Sequence, residues 1–168
     1  MKKTITQLTA IVLAAIVSAV PMSIYAGGTH DGDHGEEAEF DPVDKEFGSY
    51  KPKLHVTKTI KVEMSDQMRF TPDVIRVKKG DVIKFVHNNV GKIMHEFVLG
   101  TPDSLAEHAE MMKKFPGMEH SEPYMTHVAP GEKGEITWQF SKDGEFAFGC
   151  LIPGHFDAGM KGTVIVES

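Results

Sequence analysis

The sequence predicts an all-β fold, a sandwich or barrel of short strands with one short helix inserted. Apolar and polar residues alternate with a period of two over several short stretches, which is typical of half-buried strands. Turn-forming residues separate these stretches at regular intervals, as they do in sandwiches and barrels. One stretch, residues 102–115, carries helix start and stop signals instead.

The N-terminus has the layout of a secretory signal peptide. Lys2 and Lys3 precede an apolar run over residues 8–20, and small or neutral residues lead to Ala26. An uncleaved anchor helix is the alternative, but the run is too short to span a bilayer comfortably. We therefore expect a signal peptide over residues 1–26, cleavage after Ala26 and export, with the bacterial periplasm as the destination.

An acidic stretch follows the predicted cleavage site. Eight acidic residues and one lysine lie between Asp31 and Glu46, among few apolar side chains. Such a stretch buries too little apolar surface to offset the entropy of ordering. We predict a flexible lead over residues 27–53, bearing His30 and His34, and one domain over residues 54–168.

The net charge of the sequence indicates which kinds of partner the protein would bind. The formal net charge is −6, and the sequence has no basic cluster, which argues against nucleic acid and anionic lipid as partners. We expect a monomer that makes no membrane contact once the signal is removed. An acidic surface would suit docking onto a basic redox protein.

The predicted strands follow in order along the chain. In the first, from Leu54, the apolar residues Val56, Ile60, Val62 and Met64 share one parity. The next two, 74–78 and 82–87, flank a Lys79-Gly80-Asp81 turn, which is typical of a strand connection. The remaining predicted strands cover residues 95–99, 135–140, 145–150 and 163–167.

A single helix is predicted between the strands at 95–99 and 135–140. Thr101 offers a capping hydroxyl and Pro102 suits the first turn. The helical pattern continues over residues 105–115 and stops at Pro116-Gly117.

Four residues form the main candidate site. Cys150, the only cysteine, shares its strand parity with Phe146 and Phe148, so its sulfur should face the core. His155 and Met160 follow on a glycine- and proline-containing loop, in the spacing C-x4-H-x4-M. His95 should also point inward, because it shares its parity with Phe97 and Leu99.

This donor set suits copper. Thiolate and thioether sulfur suit Cu(I), imidazole suits both oxidation states, and two His, one Cys and a weak axial Met form an electron-transfer site. Zinc is an alternative, but a thioether is not among its usual ligands. A Cys–His nucleophile pair would leave Met160 unexplained. Taken singly, each residue could also be ordinary core; the combination favours a metal.

These motifs resemble the cupredoxin family, which includes plastocyanin, azurin, pseudoazurin, rusticyanin and auracyanin. The resemblance runs from about residue 54 to the C-terminus, and its specific parts are Met94-His95-Glu96-Phe97 and the Cys150–Met160 loop. The loop spacing is similar to that of rusticyanins and auracyanins. The resemblance implies a Greek-key β-sandwich (the cupredoxin fold), a helix between the ligand loops and one redox-active type 1 copper. Glu96 stands where several family members carry Asn or Ser, which ties the ligand loops together.

Further methionines and histidines lie between the ligand loops. Thioether and imidazole donors on a surface would suit secondary copper capture, although Met111 and Met112 could equally be core residues of the helix. With the histidines of the lead, the candidates are His30, His34, His108, Met111, Met112, Met118, His120, Met125 and His127.

Three functions compete. The first is a binding protein similar to the periplasmic copper-tolerance cupredoxins called CopI-like, which captures copper ions and limits their toxicity. The second is an electron shuttle between respiratory or photosynthetic complexes. The third, an enzyme such as a cuprous oxidase, is unsupported, because the chain lacks the His-x-His pairs of multicopper oxidases and a second cysteine for a binuclear centre. We therefore expect no enzymatic activity.

Overall fold

The computed structural model describes residues 40–118 and 120–168. The predicted signal peptide, and His30 and His34 in the predicted lead, lie outside the described residues. Within the described ranges no helix is long and apolar enough to cross a membrane.

The described residues form eleven strands and one helix. In chain order they are β1 (Val43–Lys45), β2 (Gly48–Tyr50), β3 (Lys58–Ser65), β4 (Arg69–Thr71), β5 (Val74–Lys78), β6 (Val82–Asn89), β7 (His95–Gly100), α1 (Pro102–Lys114), β8 (Met125–Val128), β9 (Lys133–Gln139), β10 (Gly144–Gly149) and β11 (Lys161–Glu167).

The strands make two sheets. One has six strands in the order β1-β2-β9-β6-β3-β4, and the other has five in the order β5-β11-β10-β7-β8. Most neighbours are antiparallel, while β3 with β6 and β5 with β11 are parallel. The predicted β-sandwich with one short helix is therefore confirmed.

The main core contains the inward-facing residues of both sheets. Trp138, Phe85, Phe97 and Phe148 are completely buried, and the rings of Phe97 and Phe148 stack with their centroids 5.0 Å apart. Alternation places them there, because successive side chains of a strand point to opposite faces.

Strand β7 is buried on both faces, unlike a strand at the surface of a sandwich. One face meets the main core, and the other lies in a second cluster with α1, to which Val98, Leu105, Ala109, Met125 and Leu151 belong. The helix therefore acts as a third layer over β7, and a residue on either face of β7 is removed from water.

Helix α1 begins and ends where the sequence predicts. The hydroxyl of Thr101 accepts a hydrogen bond from the backbone N–H of Ser104 at 3.1 Å. In return, the Ser104 hydroxyl accepts one from the Thr101 N–H at 2.9 Å. This reciprocal cap satisfies two donors at a helix N-terminus, and the helix ends at Lys114, just before Pro116.

Besides the short strand β4, which was not predicted, two parts of the structure differ from the prediction. The stretch predicted as a flexible lead contains β1 and β2, and β2 pairs with β9 through Ser49 and Gln139. Met125 and His127, predicted in a loop, lie on β8, which pairs with β7. Both segments are short and polar, so their strand conformation depends on a neighbouring strand rather than on their own pattern.

Candidate metal centre

Cys150 directly follows β10, and the loop after it returns to the same point. The Cys150 N–H donates to the Met160 carbonyl at 3.0 Å, and the Met160 N–H donates to the His155 carbonyl at 3.0 Å. These hydrogen bonds close the loop, so its three candidate donors are held near the ends of β10 and β11. Cys150 and Met160 are completely buried.

His95 completes the group at the beginning of β7. One candidate donor atom each of His95, Cys150 and His155 lies within 4.8 Å of the other two, and this is the one group of three metal-binding residues found among the described residues. The Cys150 Sγ lies 3.3 Å from the Nδ1 of His155. His95 is completely buried, whereas His155 is half-buried. The predicted convergence of these residues is therefore observed.

The imidazole of His95 fits a metal ligand. Its Nε2 lies 3.2 Å from Oδ1 of Asp66, while its buried Nδ1 has no hydrogen-bond partner in the described part of the chain. A carboxylate on one ring nitrogen commonly orients the other toward a metal. The Lys92 backbone N–H donates to Asp66 at 2.8 Å and lowers the pKa of that carboxyl, so Asp66 stays ionised. The donor types and the unpartnered nitrogen together fit a bound metal.

Glu96 joins the two ligand-bearing segments. Its backbone N–H donates to the Cys150 Sγ at 3.3 Å, and its side-chain Oε2 accepts from the Leu151 N–H at 3.1 Å. Its Oε1 lies 3.1 Å from the Nε2 of His127. Glu96 is 3% exposed. It therefore ties the loops together at the position where the resemblance implies Asn or Ser.

Burial keeps the donor groups neutral before a metal binds. Burial raises the pKa of the Cys150 thiol to about 12. It lowers the pKa of His155, with a smaller contribution from His95. Neutral imidazole is the form that binds metal, but the thiol must lose its proton, so metal binding should release one proton at neutral pH.

Most of the secondary candidates that the structure describes lie in a histidine pair or along one cleft. The ε-nitrogens of His108 and His120 lie 3.1 Å apart. One cleft is lined by Met112, Met118, His120, Met125 and His127. Met111 is 46% exposed and does not line this cleft.

Sequence reasoning missed two supporting residues besides Asp66. Asn89 is 1% exposed, and its amide donates to the carbonyls of Ile93 and Val128 at 2.8 and 2.9 Å. It thereby holds the loop that leads to His95. Arg69 donates to the Ala158 carbonyl at 2.8 Å and supports the other ligand loop. Only the position of Asn89 on the inward-facing side of its strand could have drawn attention to it.

Sequence comparisons agree with this geometry. The profile of the copper binding proteins, plastocyanin/azurin family, matches residues 56–167. The copper-resistant cuproprotein CopI of Rubrivivax gelatinosus is 47% identical over 141 residues, which cover 84% of this chain and 82% of that protein. The copper-resistant cuproprotein CopI of Vibrio cholerae is 32% identical over 154 residues, which cover 91% and 90%.

Solved structures show the same fold. Auracyanin B aligns with a TM-score of 0.61 at 22% identity, over 72% of this chain and 96% of that protein. Auracyanin from Roseiflexus castenholzii aligns with a TM-score of 0.59 at 20% identity, over 68% of this chain and all of that protein. At such identities the likeness concerns the fold alone.

The His-Cys-His group and the family profile point to the same cofactor, a single type 1 copper ion. The chain therefore belongs to the plastocyanin/azurin family of copper-binding proteins, the cupredoxins, and is similar to the CopI cuproproteins.

Proposed function

We propose that this chain is a periplasmic copper-tolerance protein that binds one redox-active copper ion through His95, Cys150, His155 and Met160. The observation that carries the proposal is the convergence of two imidazoles and a thiol within 4.8 Å, two of the three residues being completely buried. The relatives' description as copper-resistant cuproproteins supports the tolerance role.

Each residue has a separate task at this site. Asp66 orients His95, and the Glu96 N–H donates to the Cys150 sulfur, so both donors are fixed before copper arrives. Met160 would supply a weak thioether donor to the ion. The bound copper provides a one-electron redox couple. Because the loops are already joined, these residues would move little when the ion changes oxidation state, and half-buried His155 would offer the route for electrons.

The ligand assignment is tested by loading the mature protein with Cu(II) and recording optical and spin-resonance spectra. We expect an intense sulfur-to-copper charge-transfer band, which Cys150→Ser should abolish. Met160→Leu should keep the band and raise the reduction potential, because it leaves the ion with one ligand fewer, which Cu(I) tolerates better than Cu(II). Met111→Leu, at an exposed methionine, is the matched control. An intense band that persists in Cys150→Ser would refute the assignment.

The tolerance role is tested in the source bacterium. Deleting the gene should make growth sensitive to copper, and the wild-type chain, but not Cys150→Ser, should restore growth. Fractionation and N-terminal sequencing should find the protein in the periplasm, beginning after Ala26. Normal growth of the deletion strain in copper would overturn the role while leaving the metal site intact.

Electron transfer is the second candidate function. Its support is that His155 shares a cleft with the side chains of Ile93 and Met94, which are 40% and 47% exposed. A monomeric, acidic protein with such a contact surface would suit a basic redox partner. A lost respiratory electron-transfer step in the deletion strain, with copper tolerance unchanged, would favour this function. Neither function assigns a catalytic role, so we expect no cuprous oxidase turnover.

A further inference from the structure

The turn between β3 and β4, residues 65–69, lies beside both ligand-bearing segments. Ser65 ends β3 and pairs with Arg69, which begins β4. The Met68 N–H donates to the Ser65 carbonyl at 2.9 Å, and Met68 has a left-handed φ of 58°, a combination typical of a three-residue hairpin loop. Phe70, the next residue of β4, is 3% exposed and anchors that strand in the core. The turn is therefore a fixed support, and it carries Asp66 and Arg69 at its two ends.

Asp66 binds the segment that leads to His95. Its Oδ2 accepts from the Lys92 N–H at 2.8 Å, and its Oδ1 accepts from the Ile93 N–H at 3.4 Å. The same Oδ1 lies 3.2 Å from Nε2 of His95. Gly91 permits this close approach, because a Cβ atom at that position would overlap with the Asp66 carboxylate. The position of His95 thus depends on the turn as well as on β7.

Arg69 binds the segment that leads to Met160. Its Nη1 donates to the Ala158 carbonyl at 2.8 Å and to the Met68 carbonyl at 2.7 Å. Gly159 permits this approach, because a Cβ atom there would come within 2.8 Å of the same nitrogen. Arg69 is exposed, so these hydrogen bonds, rather than burial, account for its position. The end of the loop that carries the buried thioether of Met160 is therefore fastened to the same turn.

The two segments have no direct connection through their own sheet. His95 begins β7 and Met160 directly precedes β11, and β10 lies between these two strands. The turn belongs to the edge of the other sheet and bonds to both segments. It thus connects two ligands that their own strands hold apart.

We propose that the β3–β4 turn is a single brace that sets the position of His95 relative to Met160, with Asp66 and Arg69 as its positioning residues. The inference deepens the proposed copper site, on which it rests. A carboxylate on the outer nitrogen of a ligand imidazole strengthens that ligand, and the axial ligand tunes the potential of a type 1 copper. The turn therefore tunes the reduction potential without touching the ion.

A brace has a property that two separate hydrogen bonds lack. When either end is released, the turn no longer holds the two ligands at a fixed separation, so releasing the other end adds little. Independent contacts would instead have effects that add. Coupling between the two ends is thus the signature of the brace.

The test combines two substitutions that keep every charge. Gly91→Ala displaces the Asp66 carboxylate, and Arg69→Lys keeps a cation but loses the planar guanidinium. The single variants and the double variant are loaded with copper, and the reduction potential and the Met160 methyl NMR signal of the Cu(I) form are measured. Each single change should raise the potential, because Cu(I) tolerates a loosened ligand better than Cu(II). Arg69→Lys should also shift the methyl signal, and the double variant should show the larger single shift rather than the sum.

Gly117→Ala and Arg76→Lys are the matched controls. A Cβ atom at Gly117 meets no atom within 4 Å, and Arg76 lies on β5, where it pairs with Glu167. Both variants should keep the parental potential and methyl signal. An unchanged potential in Arg69→Lys, even with lower stability, would make Arg69 a structural contact and overturn the brace, as would shifts that add in the double variant. If Gly91→Ala does not fold, Asp66→Asn replaces it, and the cycle cancels its charge effect.

Amide hydrogen exchange in the metal-free chain separates the brace from the copper assignment. The Met160 N–H, which donates to the His155 carbonyl, should exchange faster in Arg69→Lys and at the parental rate in Arg76→Lys. Faster exchange in Arg69→Lys, with no charge-transfer band in the copper-loaded parent, would count against the copper assignment alone. Unchanged exchange in Arg69→Lys, with a normal band in the parent, would overturn the brace alone.

Discussion

Glu96 is a charged side chain in a place that usually excludes charge. It sits on the face of β7 that α1 covers and is 3% exposed. Hydrogen bonding offsets its desolvation, because one oxygen accepts from Leu151 and the other contacts His127. Leu151 follows Cys150, so this carboxylate sets the distance between the two ligand-bearing segments. It also places negative charge close to the Cys150 sulfur.

Two substitutions at Glu96 distinguish the effect of its hydrogen bond from the effect of its charge. Glu96→Gln keeps an oxygen for the Leu151 N–H, so the charge-transfer band should remain. Loss of the negative charge should raise the reduction potential by on the order of 50 mV, since that charge stabilises Cu(II) over Cu(I). Glu96→Ala should also lower the free energy of unfolding by about 2 kcal/mol, because it leaves a buried N–H unpaired.

Redox titration and urea unfolding measure these two effects. Glu107→Gln, an exposed acid on α1, is the matched control. If Glu96→Gln and Glu107→Gln had the same potential, the charge of Glu96 would have no influence on the copper.

His87 makes the protein sensitive to acid. Its ring is completely buried, packs on Phe97 with centroids 4.1 Å apart, and has its pKa lowered from 6.5 to about 3 by burial. Below pH 6.5 the unfolded chain binds a proton that the folded chain rejects, so stability falls as the pH drops toward 3. At pH 4.5 the loss should be about 3 kcal/mol.

Urea unfolding of the metal-free protein at pH 7 and pH 4.5 tests this prediction. His87→Leu should lose about 3 kcal/mol less than the wild type between the two pH values. His55→Leu, at an exposed histidine, should keep the full dependence. Equal pH dependence in wild type and His87→Leu would show that other groups cause the acid sensitivity.

At the scale of elements, β7 and α1 together organise the metal centre and the segment beside it. His95 begins β7, and Glu96 follows it on the opposite face. Helix α1 covers that opposite face and carries His108. The reciprocal cap of Thr101 and Ser104 fixes where the helix begins, directly after β7 ends at Gly100. The position of His108 therefore depends on this junction.

Removing the cap should weaken α1. Thr101→Ala loses the hydroxyl that accepts from the Ser104 N–H, and the free energy of unfolding should fall by about 1 kcal/mol. Thr101→Ser keeps the hydroxyl and should stay within about 0.5 kcal/mol of the wild type. Denaturant unfolding measures both. A Thr101→Ser variant as unstable as Thr101→Ala would assign the effect to the lost methyl group rather than to the cap.

At the scale of the whole molecule, the β1–β2 segment closes the edge of the six-stranded sheet. Phe47, between the two strands, is 6% exposed and stacks on Trp138 with centroids 5.2 Å apart. The Trp138 indole N–H donates to the Phe47 carbonyl at 3.1 Å. Residues ahead of the predicted domain boundary at 54 thus cover the largest side chain of the core.

Phe47→Ala should uncover Trp138. We expect the free energy of unfolding to fall by about 3 kcal/mol, the usual cost of truncating a buried phenylalanine. Emission of the single tryptophan should shift to longer wavelength as water reaches it. Phe115→Ala removes a ring that is 59% exposed and should change neither property. Unchanged emission in Phe47→Ala would mean that other residues shield the indole.

Much of the main site was predictable because residues that are close together in the sequence specify it. Cys150, His155 and Met160 lie on one loop, and the parity of the strand with Phe97 gives the direction of His95. Asp66 and Asn89 were not predictable, since their partners lie 29 and 39 residues away. Strand β8 was missed because its four residues show too short a pattern.

The sequence by itself determined the donor types, their order and the side of each strand on which they lie, because alternation and loop spacing are properties of neighbouring residues. Only the tertiary structure decided that His95 meets Cys150, that Glu96 bonds to Leu151, and that His108 faces His120. Each of these contacts joins residues 12 to 55 positions apart. Contacts of that kind arise from how the sheets and helix pack, which no local pattern specifies.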